Sequence, residues 1–326
     1  MPGRDGRTLA CGQEGPNMSS DDPREDGYHG LPAGHLDNGE LRLEYLTESG
    51  PRIVRLLLHG SADNLLAEVP HLSWSTPHGL YFPRGGHRLW VAPEMVGRTA
   101  IPDDDGLQVE PLPDGVRLLQ PTERPTGIRK SLEIHLPPGE PRAVLHHELA
   151  NDGPASVEVA PWAITMLRPG GVAVLPQPTE PADPDGLLPN RSLVLWPYTH
   201  WRDPRIHPTD PFLFIDSRPL GSPCKVGTLN RSGWSGYLSG DVLFVKRYAA
   251  QPDQPHTDMG CNTEVYVCHA YLELESLAPL CRLNPGDSVM HTETWEVLRN
   301  PESPDTPEPY RRALEELRQV RRASSR

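Results

Sequence analysis

Proline and glycine punctuate this chain so densely that long helices have little room. They supply 39 and 29 of its 326 residues, 68 together, against a combined share of roughly 12% in ordinary domains. Between the breaks lie apolar runs of strand length, at 41–45, 53–58, 116–119, 131–136, 143–149, 157–167, 192–196 and 211–215. Residues 234–238 and 242–248 flank Ser239, Gly240 and Asp241 and predict a hairpin. Strands this short and this closely spaced, with no strand–helix–strand rhythm and no fixed repeat, indicate an all-β sandwich or barrel.

Composition sets the outer bounds. Residues 1–35 are rich in Gly, Pro, Asp and Ser and are expected to form a disordered tail. Residues 36–300 hold the strand-like runs, and 301–326 read as a proline-rich linker and a helix. In that helix Tyr310, Leu314, Leu317 and Val320 recur at helical spacing between Pro309 and Arg322. A net charge of −13 with no basic stripe argues against nucleic acid as a partner. No run of about 20 apolar residues offers a membrane span. Five cysteines, an odd number, and no apolar leader point to reduced thiols and a cytoplasmic location. No phosphate loop or dinucleotide fingerprint occurs, so no cofactor is implied. His256, Cys261, Cys268 and His269 match no zinc spacing, so no metal is expected.

The chemistry concentrates in residues 262–298, which read as a strand, a turn and a second strand. Counting from Tyr266, the positions Cys268, Ala270, Leu272 and Leu274 make one apolar face. His269, Tyr271, Glu273 and Glu275 make a polar one, because successive side chains on a strand point to opposite sides. Glu273 and Glu275 then stand about 7 Å apart. Such a pair suits a polyhydroxylated ligand, or the acid and base of a glycosidase, which need roughly 5–10 Å; it equally suits a solvated strand face. Further upstream, His87, Arg88 and Glu94 surround Trp90 behind Gly85 and Gly86, whose missing side chains would let backbone approach a ligand. Trp196, His200 and Arg202 lie in a run dense in rings and polar tips, suited to stacking on the C–H face of a sugar. Lys225 and Asn230 precede Trp234 in a similar stretch, where Asn230 also fits a plain turn.

Several of these segments together resemble the galactose-mutarotase-like superfamily. They are Leu274–Ser276 followed by Leu283 to Asp287 and a strand ending near Trp295, the stretch from Leu149 to Val159, and Gly85 to Glu94. Lys225 with Gly227 and the strand Leu243–Tyr248 match a bacterial branch of the same superfamily. The resemblance covers roughly residues 38–300 and is more specific for fold than for reaction. It implies a β-supersandwich whose concave face holds a small-molecule sugar. In aldose 1-epimerases of this kind a glutamate takes the proton of the anomeric hydroxyl while a histidine protonates the ring oxygen. The resemblance places Glu275 at the base and puts Trp162 where the first active-site histidine should fall. His200 is then the first candidate for the acid. Arg88, His87, Glu94, Glu273, Lys225, Asn230 and Arg202 are expected to bind substrate, with Trp162 or Trp196 stacking on the ring. The expected function is carbohydrate binding with epimerase-like isomerisation. The alternatives are a non-catalytic sugar-binding module and a hydrolase or lyase that uses the carboxylate pair.

Overall fold

The runs between the proline and glycine breaks pair into two large sheets, each of ten strands, in a computed structural model that describes residues 27–104 and 106–324. The first sheet runs Ala33–Asp37, Leu41–Leu46, Arg52–Leu58, His87–Ala92, Val157–Leu167, Leu272–Leu277, Thr263–Val267, Cys224–Thr228 and Val194–Leu195, with Cys281–Leu283 also paired to Val157–Leu167. The second runs Ile206–Pro208, Phe212–Asp216, Val172–Pro176, Trp234–Ser239, Val242–Tyr248, Ser288–Arg299, Arg142–Asn151, Ile128–His135, Gly115–Leu119 and Gln108–Leu112. Neighbours pair antiparallel across both sheets, as in the 234–248 hairpin.

Alternation decides what lies between the sheets. From the first sheet Ile53, Leu56, Val226, Val265, Leu272 and Leu274 point inward and meet Leu145, Phe244, Trp295 and Val297 of the second in one apolar cluster. The outer face of the second sheet is covered by the one helix of the described residues, Glu308–Ser324. Its Tyr310, Ala313 and Leu317 pack on Phe212, Phe214 and Trp234, as the helical spacing predicts. Glu308 in its first turn and Arg321 and Arg322 in its last complement the helix dipole.

Three expectations shift. Within the stretch expected to be a tail, Tyr28 is fully buried and Ala33–Asp37 is a strand, while residues 1–26 lie outside the described residues. The run 192–196 pairs only over Val194–Leu195. Most consequentially, residues 263–277 are two strands. A turn closed by the Cys268 N–H donating to the Tyr271 carbonyl at 3.0 Å reverses the chain. Tyr266 therefore pairs with Glu273, and Glu264 with Glu275, so the even positions before the turn share a face with the odd positions after it.

A polar cluster sits inside the apolar layer. Lys246 is fully buried, and its ammonium meets Glu293 at 2.7 Å. It also donates to the carbonyls of Leu274 at 3.0 Å and Ala163 at 3.3 Å, in two strands of the opposite sheet. Glu293 further accepts from Ser276 Oγ at 2.5 Å and Trp295 Nε1 at 2.8 Å. Beside them His147 Nδ1 lies 2.9 Å from the His291 carbonyl, which can only accept, so this nitrogen carries the proton. The bare Nε2 of His147 then accepts from His87 Nε2 at 2.7 Å, and His87 Nδ1 accepts from Thr165 Oγ1 at 2.9 Å. His291 Nε2 donates to Ser276 Oγ at 2.7 Å, because that hydroxyl spends its proton on Glu293. Every bond in this chain is satisfied with all three rings neutral.

This arrangement makes stability depend on pH with a definite sign. Burial depresses His87 and His147 and holds His291 at about 3. An unfolded histidine titrates near 6.5. Below that pH the unfolded chain takes up protons that the folded chain refuses, so stability falls as pH falls. Burial alone would raise Glu293, but the Lys246 ammonium outweighs it and keeps it ionised, so its contribution is also lost in acid. Between pH 6 and pH 4 the exclusion of a proton from His291 alone is expected to remove about 1.4 kcal/mol per pH unit. Chemical unfolding at pH 8, 6 and 5 checks this. The midpoint should hold above pH 7 and drop steeply below 6, and a flat profile contradicts it.

Candidate functional site

On the opposite face of the first sheet, turned away from the second, the same alternation gathers a different set of side chains. Arg88 pairs in register with Ile164, Ile164 with Glu275, Glu275 with Glu264, and Glu264 with Gly227. Two residues to one side of this row Trp90 lies opposite Trp162, and two residues to the other side Glu273 lies opposite Tyr266 and Tyr266 opposite Lys225. Consecutive odd or even positions of five strands therefore share one surface.

Two cations organise that surface. Lys225 reaches Glu264 at 2.7 Å and Glu275 at 3.1 Å, and its ammonium lies 4.7 Å from the Trp162 ring centre and 4.6 Å from that of Trp196. Trp162 Nε1 donates to the same Glu275 oxygen at 2.7 Å. Glu275 is fully buried, and its other oxygen has no partner among the described residues. Arg88 donates to Glu273 at 2.7 Å and stacks over Trp90 at 4.2 Å, leaving Nε and Nη1 without a partner.

A turn carries the aromatic wall. Thr199 Oγ1 accepts from the Lys225 N–H at 2.8 Å and donates to the Lys225 carbonyl at 2.8 Å. This docks residues 196–200 onto the Lys225 strand, setting Trp196 over the ammonium and Tyr198 beside Tyr266, with ring centres 6.4 Å apart. Gly227 is needed here, since a Cβ would stand 2.6 Å from Cys261 Sγ and 3.3 Å from the Trp196 ring. Burial raises the pKa of the Tyr198 hydroxyl, with the Lys225 ammonium pulling the other way. Glu94 stands exposed on the rim, within electrostatic reach of Lys225, Glu273 and Asp258.

The charges are strongly coupled. Burial opposes the Lys225 ammonium, yet Glu264 and Glu275 outweigh it and hold its pKa well above the ordinary lysine value. Burial pushes Glu264 well up, with the Lys225 ammonium pulling the other way and Glu275 and Asp258 adding to the rise. Glu273 is also raised, by burial first and then by Glu275, with Arg88 pulling the other way.

Of the residues singled out in the sequence, Arg88, Glu273, Glu275, Lys225, Trp162 and Trp196 come together here, and Glu94 joins them at the rim. Others do not. His87 belongs to the opposite side of its strand and lies buried between the sheets against Thr165 and His147. Gly85 and Gly86 take positive φ, and a Cβ would collide with the carbonyls of Ala67 and Ile53, so they admit neighbouring backbone and not a ligand. Asn230 is fully buried and closes a turn by donating to the Trp234 carbonyl at 2.7 Å and bonding Tyr248 at 3.0 Å. His200 and Arg202 are exposed at the outer end of their turn, with His200 near Asp203. Among the described residues no histidine bonds Glu275. Glu264, Tyr198, Tyr266, Tyr271 and Asp258 were missed. Glu264 was detectable, because extending the even positions back from Tyr266 reaches a carboxylate.

Among the described residues the donor atoms of His87, His147 and Glu293 lie within 4.8 Å of one another, close enough for a metal. Each of these side chains already has hydrogen-bond or ion-pair partners, and Lys246 supplies the positive charge, so this cluster is a closed hydrogen-bond network. No helix among the described residues is long and apolar enough to cross a membrane.

No family model matches this chain, and no curated protein matches its sequence. Solved structures do. A galactose mutarotase-like protein from Lactobacillus casei superposes with a TM-score of 0.50 at 11% identity, over 82% of this chain and 100% of its own. A protein from Synechocystis gives 0.52 at 12% identity, over 88% and 100%. A TPR-domain containing protein from Parabacteroides distasonis gives 0.56 at 12%, over 84% of this chain and 48% of its own. The chain therefore has the galactose mutarotase-like fold.

The double ion pair generates a test. Lys225→Met leaves Glu264 and Glu275 buried without their cation, which is expected to cost about 3–5 kcal/mol at pH 7. Unfolding midpoints of both proteins at pH 7 check this, and an unchanged midpoint in Lys225→Met would contradict it.

Proposed function

We propose that this chain recognises a saccharide on the outer face of its first sheet and does so without turning it over. The observation that carries the proposal is the aromatic wall around paired charges: Trp162 and Trp196 flank Lys225, and Tyr198 packs on Tyr266, the register partner of Glu273. Flat rings suit the C–H faces of a pyranose, and carboxylates and an arginine suit its hydroxyls. The fold adds support by analogy, since the Lactobacillus casei neighbour is described as galactose mutarotase-like.

Ring opening needs a base at the anomeric hydroxyl and an acid at the ring oxygen. Glu275 is the base expected from the resemblance, but one of its oxygens is shared by Lys225 and Trp162 and the whole side chain is buried. Lys225, held well above its usual pKa, is a poor acid. Those facts favour recognition. Epimerase-like isomerisation is the second reading, favoured by Glu273, whose raised pKa suits proton transfer nearer neutrality. The cytoplasm remains the proposed location.

Tryptophan fluorescence titration and polarimetry, run on the same aldoses, separate the two. We expect saturable binding that weakens about tenfold or more in Trp196→Ala, with no accelerated anomer interconversion. Acceleration abolished by Glu273→Gln or Glu275→Gln would overturn the non-catalytic reading. Absence of binding to every aldose would overturn saccharide recognition itself.

A further inference from the structure

The turn that carries Trp196 and Tyr198 continues beyond the site. Three turns follow one another along it. The Thr199 N–H donates to the Trp196 carbonyl at 2.9 Å, the Asp203 N–H to the His200 carbonyl at 3.0 Å, and the Ile206 N–H to the Asp203 carbonyl at 3.1 Å. Pro197 and Pro204 take the second positions of the first and third turns, where a fixed φ is already correct. Both ends are pinned. Thr199 locks the first turn to Lys225, and Asp203 grips the buried Arg205 through both oxygens, at 2.8 and 2.7 Å. The middle turn is therefore held in one place, and at its tip stands Trp201. This residue is 83% exposed. The other six tryptophans each meet a ring or a cation of the protein. Among the described residues Trp201 meets neither and makes no hydrogen bond. A singly exposed leucine would carry no message. An indole on a fixed turn differs, because it offers a large flat contact and has only two side-chain torsions to immobilise.

We infer that the ligand is a chain of sugars, and that Trp201 is a second stacking platform for a unit beyond the one held at Trp196. The inference rests on the saccharide reading above and extends it. Continuity of the turn supports it. Three residues separate Trp201 from Tyr198, so their Cα atoms lie at most about 11 Å apart. The platform thus begins where the inner aromatic wall ends. Its neighbours fit the same ligand. His200 and Arg202 flank Trp201 and are both exposed, so the ring is bordered by polar groups that can reach hydroxyl oxygens. A docking protein would want an apolar surround there, whereas a sugar presents a C–H face edged with hydroxyls.

Calorimetric titration with glucose, galactose and mannose, and with their linear oligomers of increasing length, tests it. In at least one series affinity should rise about tenfold or more from the single sugar to the longer chains. Trp201→Ala, at an exposed position where folding is not at stake, should remove most of that gain. It should leave the affinity for the single sugar within about twofold, while Trp201→Phe should keep part of the gain. A chain that binds no tighter than its single sugar, or a gain that survives Trp201→Ala, overturns this inference and leaves saccharide recognition standing. A self-associated wild type that Trp201→Ala dissociates, with no gain from chain length, overturns it in favour of a protein contact. Failure of every sugar and every chain to bind overturns both readings.

Discussion

The buried ion pair between Lys246 and Glu293 holds the rest in place. Lys246 belongs to the second sheet, yet two of its three protons go to carbonyls of the first, at Ala163 and Leu274. Those residues lie in the strands that display Trp162, Ile164, Glu273 and Glu275 on the outer face. The charge is therefore both a fastener between layers and a support behind the site. Its burial is tolerable only because Glu293 has a partner for each oxygen and the nearby rings are neutral.

The same period-two geometry serves two incompatible environments. His87 and Arg88 are neighbours in sequence and are both buried, but one enters the polar cluster between the sheets and the other the outer face. Thr165 and Ser276 take the inward side next to Ile164 and Glu275 on the outward side. One strand thus carries a closed hydrogen-bond network on its back and an incompletely satisfied set of charges on its front. The unfinished bonds, at Arg88 Nη1 and Glu275 Oε1, all lie on the front.

Local pattern made part of this legible. The alternation that set Glu273 and Glu275 on one face needed only their spacing, and the helical spacing of Tyr310, Leu314 and Leu317 placed the terminal helix. Lys225 and Trp196 were recognisable as residue types suited to a ligand. What sequence hid was partnership at a distance. Glu264 joins Lys225 only through strand pairing, and Tyr266 changed face because four residues, 268–271, form a turn. Separating Arg88 from His87 required knowing which side of the strand faced the second sheet. The choice of His200 followed from the missing histidine at Trp162, and the turn carries that ring outward to solvent.

Hydrogen exchange in Lys246→Met tests the central claim most directly. If Lys246 supports the site from behind, amides of residues 162–166 and 272–276 should lose protection by tenfold or more, while the edge strands Gln108–Leu112 and Gly115–Leu119 keep theirs. Equal loss across both sheets, or none in the site strands, would contradict it.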